Sequence, residues 1–148
     1  MLRSPSREVL TKCLVEEALR ELLKDYGPED ADKILGLKIC EPAMGSGAFL
    51  NEAAEQLAAK YLELKQKQLQ ELAAKDSDPK DANEQDAENS NAATTIEPGQ
   101  YADELRRVKH YIATNNIYGV DLNATAVELG QLSLWPVSYT HLTLPTKA

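Results

Sequence analysis

The chain has 148 residues, room for one ordinary domain rather than two. Apolar residues at 43% and charged residues at 27% fit a globular protein, and only 5% aromatics, with one Trp and one Phe, argue against an aromatic-rich β-sandwich. The net charge of −8 is the wrong sign for a surface that grips nucleic-acid phosphates, and no apolar run approaches the roughly 20 residues of a membrane span.

From Arg7 to Tyr26, Val9, Leu10, Cys13, Leu14, Ala18, Leu19, Leu22 and Leu23 recur at spacings of three and four. That predicts a helix with one buried stripe, N-capped by Ser6 and stopped by Gly27-Pro28. Pro28 to Lys33 is polar and suits a loop or short helical turn. Leu37 to Cys40 reads as a short central strand, ended by Glu41-Pro42 because Pro cannot continue a ladder. Cys13 and Cys40 make neither a disulfide framework nor a metal knuckle; they are expected as small buried hydrophobes in a reducing cytoplasm.

Gly45-Ser46-Gly47 opens a long amphipathic helix over 48–74, with Phe49, Leu50, Ala53, Ala54, Leu57, Ala58, Tyr61, Leu62 and Leu64 as its inner face. Beyond Lys65 the stripe thins to Leu69 and Leu72, so the helix should project into solvent. The stretch 76–95 has no large apolar residue and a strong acidic bias, and is expected to be a disordered insertion. Tyr101 to Ala113 is helical again, with Leu105, Val108, Tyr111 and Ile112 on one side. His110 beside that stripe carries no predicted role. Asn115-Asn116 breaks the helix, and Ile117 to Asp121 is a second strand ending in a carboxylate. Ala126, Val127, Leu129, Leu132 and Leu134 then begin another amphipathic helix at Ala124.

Residues 137–146, V-S-Y-T-H-L-T-L-P-T, back-translate to GTC TCT TAT ACA CAT CTG ACG CTG CCG ACG. That string resembles the transposase mosaic end and adapter of a sequencing-library kit. The span 136–148 is therefore expected to be an artefactual tail, and 1–135 a fragment of something longer. Strands alternating with helices imply a parallel open sheet flanked by helices, an α/β fold.

Ligands in open α/β sheets bind beyond the carboxyl ends of the strands. Here those ends are E-P-A-M-G-S-G-A-F-L at 41–50 and G-V-D-L-N at 119–123. No Lys-Ser or Lys-Thr follows Gly47, so a triphosphate loop is disfavoured. Leu50 stands where a dinucleotide fingerprint needs a small residue, and Glu41 would repel a pyrophosphate. S-adenosylmethionine reverses that demand, because its methionine end carries an ammonium and a sulfonium. Glu41 could face those cations, Asp121 could accept both ribose hydroxyls, and Leu122 could lie against adenine. The blander alternatives are a helix-start carboxylate for Glu41 and an N-cap for Asp121.

The segment at 41–50 resembles the D-P-A-x-G-[ST]-G-x-F-L cofactor signature of adenine-specific DNA methyltransferases. N-I-Y-G-V-D-L-N-A-T-A-V-E-L-G-Q-L-S-L-W is similar to that family's second signature, I-x-G-x-D-x-[ND]-P-x-A-V-x-L-A-x-L-x-L. E-V-L-T-K-C-L-V-E-E-A-L resembles the helix preceding the first strand in large restriction–modification and phage-defence members. Glu41 replaces the commoner Asp, Ala124 stands where Pro is usual, and the upstream Tyr-Thr-Pro contact is represented only by Pro5-Ser6-Arg7.

The resemblance implies an incomplete Rossmann-like methyltransferase fold that binds S-adenosylmethionine through Glu41, Pro42, Ala43, Gly45, Ser46, Gly47, Phe49, Asp121 and Leu122. It implies methyl transfer to the exocyclic amine of adenine in duplex DNA, with a planar amine of protein glutamine or RNA as the alternative acceptor. A helical interaction module is the alternative outside enzymes. The family's catalytic [NDS]-P-P-[YFW] segment has no counterpart, since the chain contains no Pro-Pro. No catalytic residue and no metal ligand is therefore assigned, the chain alone is expected to be inactive, and the basic DNA-recognition surface is expected elsewhere in an intact enzyme.

Overall fold

A computed structural model describes residues 7–76 and 98–139 of the chain. In order they form α1 (Arg7–Leu22), a 3-10 helix (Pro28–Gly36), β1 (Ile39–Glu41), α2 (Ala48–Asp76), α3 (Pro98–Asn115), β2 (Ile117–Gly119) and α4 (Ala124–Tyr139). The protein is mostly helical, with β1 and β2 paired in parallel. Ile39 aligns with Ile117, Cys40 with Tyr118 and Glu41 with Gly119. Helical crossovers between parallel strands are compatible with part of an α/β fold. Among the described residues no helix is long and apolar enough to cross a membrane.

The core is built around α2. Ala54, Leu57, Ala58 and Leu62 recur at helical spacing and are fully buried or nearly so. They meet Ile34 and Ala31 of the 3-10 helix, Val15, Leu19 and Leu23 from the α1 side, and Val108 and Ile112 of α3. The alanines let neighbouring elements approach closely, while the leucines and isoleucines supply the area removed from water. Among the described residues, ion pairs cross between elements from Lys65 of α2 to Asp32 and from Lys109 of α3 to Glu55 of α2. Beyond Leu64, Leu69 is half-buried and Leu72 exposed, so the apolar stripe does thin along α2.

Several expectations are corrected. The segment after Pro28, expected as a loop or short helical turn to Lys33, is a 3-10 helix that runs on to Gly36 and carries Ile34 into the core. Pro28 suits its first turn, and the Gly27 N–H donates to the Asp30 carboxylate at 3.2 Å. Strand β1 consequently starts at Ile39 rather than Leu37. The Leu35 and Leu37 carbonyls are taken outside the ladder by the Asn116 side-chain amide, at 3.0 and 2.5 Å. Asn116 is therefore a fully buried cross-brace, beyond its expected part as a helix breaker.

Helix α3 begins at Pro98, which loses nothing at a position whose N–H has no intrahelical partner. Only Val15, Leu19 and Leu23 of the α1 region are buried; Val9, Leu10, Leu14 and Leu22 are half exposed or more, because α2 covers one side alone. Cys13 and Cys40 are exposed, not buried. Helix α4 continues through Pro136 to Tyr139, with Leu129 and Leu132 exposed. The expected cap Ser6, the insertion beyond Asp76 and the tail from 140 lie outside the described residues.

Candidate functional site

The parallel pairing brings the two chemistry-bearing strand ends together. Ile39 N–H donates to Asn116 O at 2.8 Å and Val120 N–H to Glu41 O at 2.9 Å, so the ladder runs to the last residue of β1. Met44 N–H donates to Val120 O at 3.0 Å, extending the connection past the strand. The chain then turns through Gly45 and Gly47 at φ +52° and +76°, the left-handed region where a side chain is strained, and enters α2.

Asp121 closes this turn from the second strand end. Its Oδ2 accepts the Gly45 N–H at 2.9 Å and its Oδ1 the Asn123 N–H at 2.8 Å. The Asn123 N–H first, and then that of Gly45, hold the carboxyl below its ordinary value, so it is a carboxylate at neutral pH. Asn123 supplies the cap of α4, accepting the Thr125 N–H at 3.0 Å. Asp121 thus binds backbone without being the cap, and each of its oxygens keeps a further lone pair for a ligand hydroxyl.

Glu41 behaves differently. Its Oε2 is sealed from solvent and has no hydrogen-bond partner. Burial pushes the carboxyl above its ordinary value. A helix-start carboxylate would have spent that oxygen on backbone N–H groups; this one is left for something else. Glu41 lies on a concavity of about 390 Å³ walled by Leu19, Leu22, Cys40, Phe49 and Leu50, between α1, β1 and the first turns of α2. A larger hollow of about 760 Å³ lies between α1, α2 and the start of α3. Four of the charged groups lining it are matched, Lys60 with Glu63, Arg20 with Glu17 and Lys24 with Glu21, and no strand-end residue lines it.

The remaining predicted residues cluster around the turn. Pro42, Ala43 and Ser46 are exposed, Gly45 is half-buried and Gly47 is buried. Phe49 is partly exposed, and Leu122 projects completely into solvent. All nine positions therefore fall on the two strand ends, the turn or the first turn of α2. Among the described residues there is no group of three or more His, Cys, Asp or Glu side chains that could hold a metal ion.

Four residues at the turn were not singled out from the sequence: Met44, Asn51, Gly130 and Ser133. The Met44 side chain is buried between Gly119 of β2 and Gly130 of α4, where a Cβ on either glycine would overlap it. Ser133 lies 2.7 Å from the Ser46 carbonyl, and Asn51 donates to its hydroxyl at 3.0 Å. A methionine directly before the first signature glycine, and a lone glycine inside a helix, were the available signals.

Residues 24–145 match a family model described as MmeI, DNA-methyltransferase domain. No curated protein and no solved structure matches the chain.

Proposed function

We propose, from the premise that this chain belongs to the MmeI DNA-methyltransferase domain family, that its two strand ends bind S-adenosylmethionine for methylation of adenine in duplex DNA. The family places it with the DNA methyltransferases of restriction–modification. The adenine acceptor, the methyl donor, the Rossmann-like completion of the sheet and a cytoplasmic setting are our reading. The observation that carries it is the Glu41 carboxylate, with one oxygen sealed and unpartnered beside a glycine turn that the second strand's carboxylate clasps.

The residues fit the donor. An unpaired carboxylate in a partly dry site favours a cation, which would offset the cost of its burial. Glu41 would receive the methionine ammonium. Gly45 and Gly47 leave the backbone bare where the ligand must approach, and a Cβ at Gly45 would meet nothing within 4 Å, so the space in front of it is open. Asp121 would accept the ribose hydroxyls with lone pairs not engaged by Gly45 and Asn123. Leu122 offers an exposed apolar side chain for the adenine face, while Pro42, Ala43, Ser46 and Phe49 line the approach. When bound, S-adenosylmethionine supplies an activated methyl group on its sulfonium.

Thermal melting of the full chain with S-adenosylhomocysteine, and separately with NAD, tests the assignment. Binding to the folded state alone raises the melting temperature with ligand concentration. A rise with the homocysteine and none with NAD is expected. No rise with the former, or a rise with NAD, overturns it.

A further inference from the structure

We propose that Ser133 of α4 is a positioning residue that fixes the Gly45–Gly47 turn, with Met44 as the wedge that sets the distance between α4 and the turn. The functional relevance of the turn rests on the methyl-donor reading above; its mechanical dependence on Ser133 does not.

The Ser133 hydroxyl sits where three segments meet. It lies 2.7 Å from the Ser46 carbonyl in the turn and 2.9 Å from the Gly130 carbonyl in its own helix. It has a single proton, and Asn51 of α2 already donates to its oxygen at 3.0 Å. Donation to Gly130 would be ordinary back-bonding within a helix. Donation to Ser46, over the shorter distance, joins α4 to the turn.

The Ser46 carbonyl belongs to the same peptide plane as the Gly47 N–H, and that N–H donates to Met44 O at 2.8 Å. The plane is therefore held at both ends, by the turn's own start and by α4. The preceding pins come from β2, through Val120 O on Met44 N–H and Asp121 on Gly45 N–H. Losing the Ser133 hydroxyl removes the contribution of α4 alone.

Close packing makes that hydrogen bond possible. A Cβ on Gly47 would come within 3.2 Å of Ser133 Oγ and 3.4 Å of Gly130 Cα. Helix α4 thus runs against the bare backbone of the turn. Met44 fills the space left by the absent side chain of Gly130, so α4 can neither move closer without overlap nor drift away without opening a void.

The test is hydrogen–deuterium exchange on the full chain, paired with calorimetric titration of S-adenosylhomocysteine, for wild type, Ser133→Ala and Ser133→Thr. Ser133→Ala should speed exchange several-fold across 45–49, leave 53–64 unchanged, and weaken binding about five- to tenfold, the scale of one lost hydrogen bond. Ser133→Thr keeps the hydroxyl and should restore both readouts. Unchanged exchange across 45–49 in Ser133→Ala overturns the proposal. Exchange accelerated equally across 53–64 also overturns it, since Ser133 would then serve the core. If wild type binds no S-adenosylhomocysteine while Ser133→Ala still loosens only 45–49, the positioning role stands and the methyl-donor reading falls.

Discussion

The middle and the beginning of α2 are held by different physics. At Ala54, Leu57, Ala58 and Leu62 the helix is enclosed by Ile34 and Ile112, and non-directional apolar burial keeps it in place. At Gly47 and Ala48 it starts from a turn whose peptides are pinned one by one, by Val120, Asp121, Ser133 and Met44. Phe49 beside that turn is partly exposed and Leu122 opposite it wholly so. Met44 and Leu50 are buried here as well, but the path of the turn itself is set by hydrogen-bond direction and by glycine clearance. Stability and site geometry are therefore separable along one helix.

Substitutions should divide the same way. Leu57→Ala removes a fully buried side chain from the middle of α2 and should lower stability by about 2–5 kcal/mol in urea unfolding. A loss below about 1 kcal/mol would mean that the site collapses around the void and that the core is looser than its burial implies. Asn116→Ala comes next. It leaves the Leu35 and Leu37 carbonyls without their side-chain donor, for an expected cost of about 1–3 kcal/mol in the same measurement.

Asp121→Ala should reverse the pattern. It frees the Gly45 N–H and removes the proposed ribose acceptor, so S-adenosylhomocysteine affinity should fall about tenfold or more in calorimetric titration. Its melting temperature should stay close to that of wild type. A destabilisation comparable to that of Leu57→Ala would erase the distinction between the two ends of the helix.

Glu41→Gln gives the smallest expected effect on stability. Burial raises the Glu41 carboxyl above its ordinary 4.5, so the folded state holds that proton more tightly than the unfolded one. The contribution of Glu41 to wild-type stability must then fall as pH rises from 4.5 through the raised value, and stay lower above it. Glu41→Gln abolishes this loss. Without ligand it should melt slightly above wild type at pH 7 and level with it at pH 4. An equal melting temperature at pH 7 would show that the carboxylate already has a partner in solution.

Much of this division is visible in the sequence because periodicity reports burial. The spacing of Ala53, Ala54, Leu57, Ala58 and Leu62 marks the packed face of α2, and the carboxylates at 41 and 121 mark the strand ends. Periodicity does not say how wide the covering surface is. The apolar stripe of α1 is longer than the strip α2 covers, which is why Leu10 and Leu14 are exposed. Ile34 was hidden for the opposite reason: a 3-10 helix has its own period and leaves no heptad-like trace. Asn116 looked like punctuation, because its two acceptors are 79 and 81 residues away along the chain. The contact of Met44 with Gly119 and Gly130 is likewise between residues far apart in sequence, and no local pattern announces it.

That contact has an evolutionary consequence. Positions 44, 119 and 130 share one fixed volume, divided here as one long flexible side chain and two absent ones. Drift at any one of them is constrained by the other two, so an alanine at 119 or 130 becomes tolerable only alongside a shorter residue at 44. Three sites on a turn, a strand and a helix should accordingly accept change as a set, with their summed size inherited more faithfully than any of their identities.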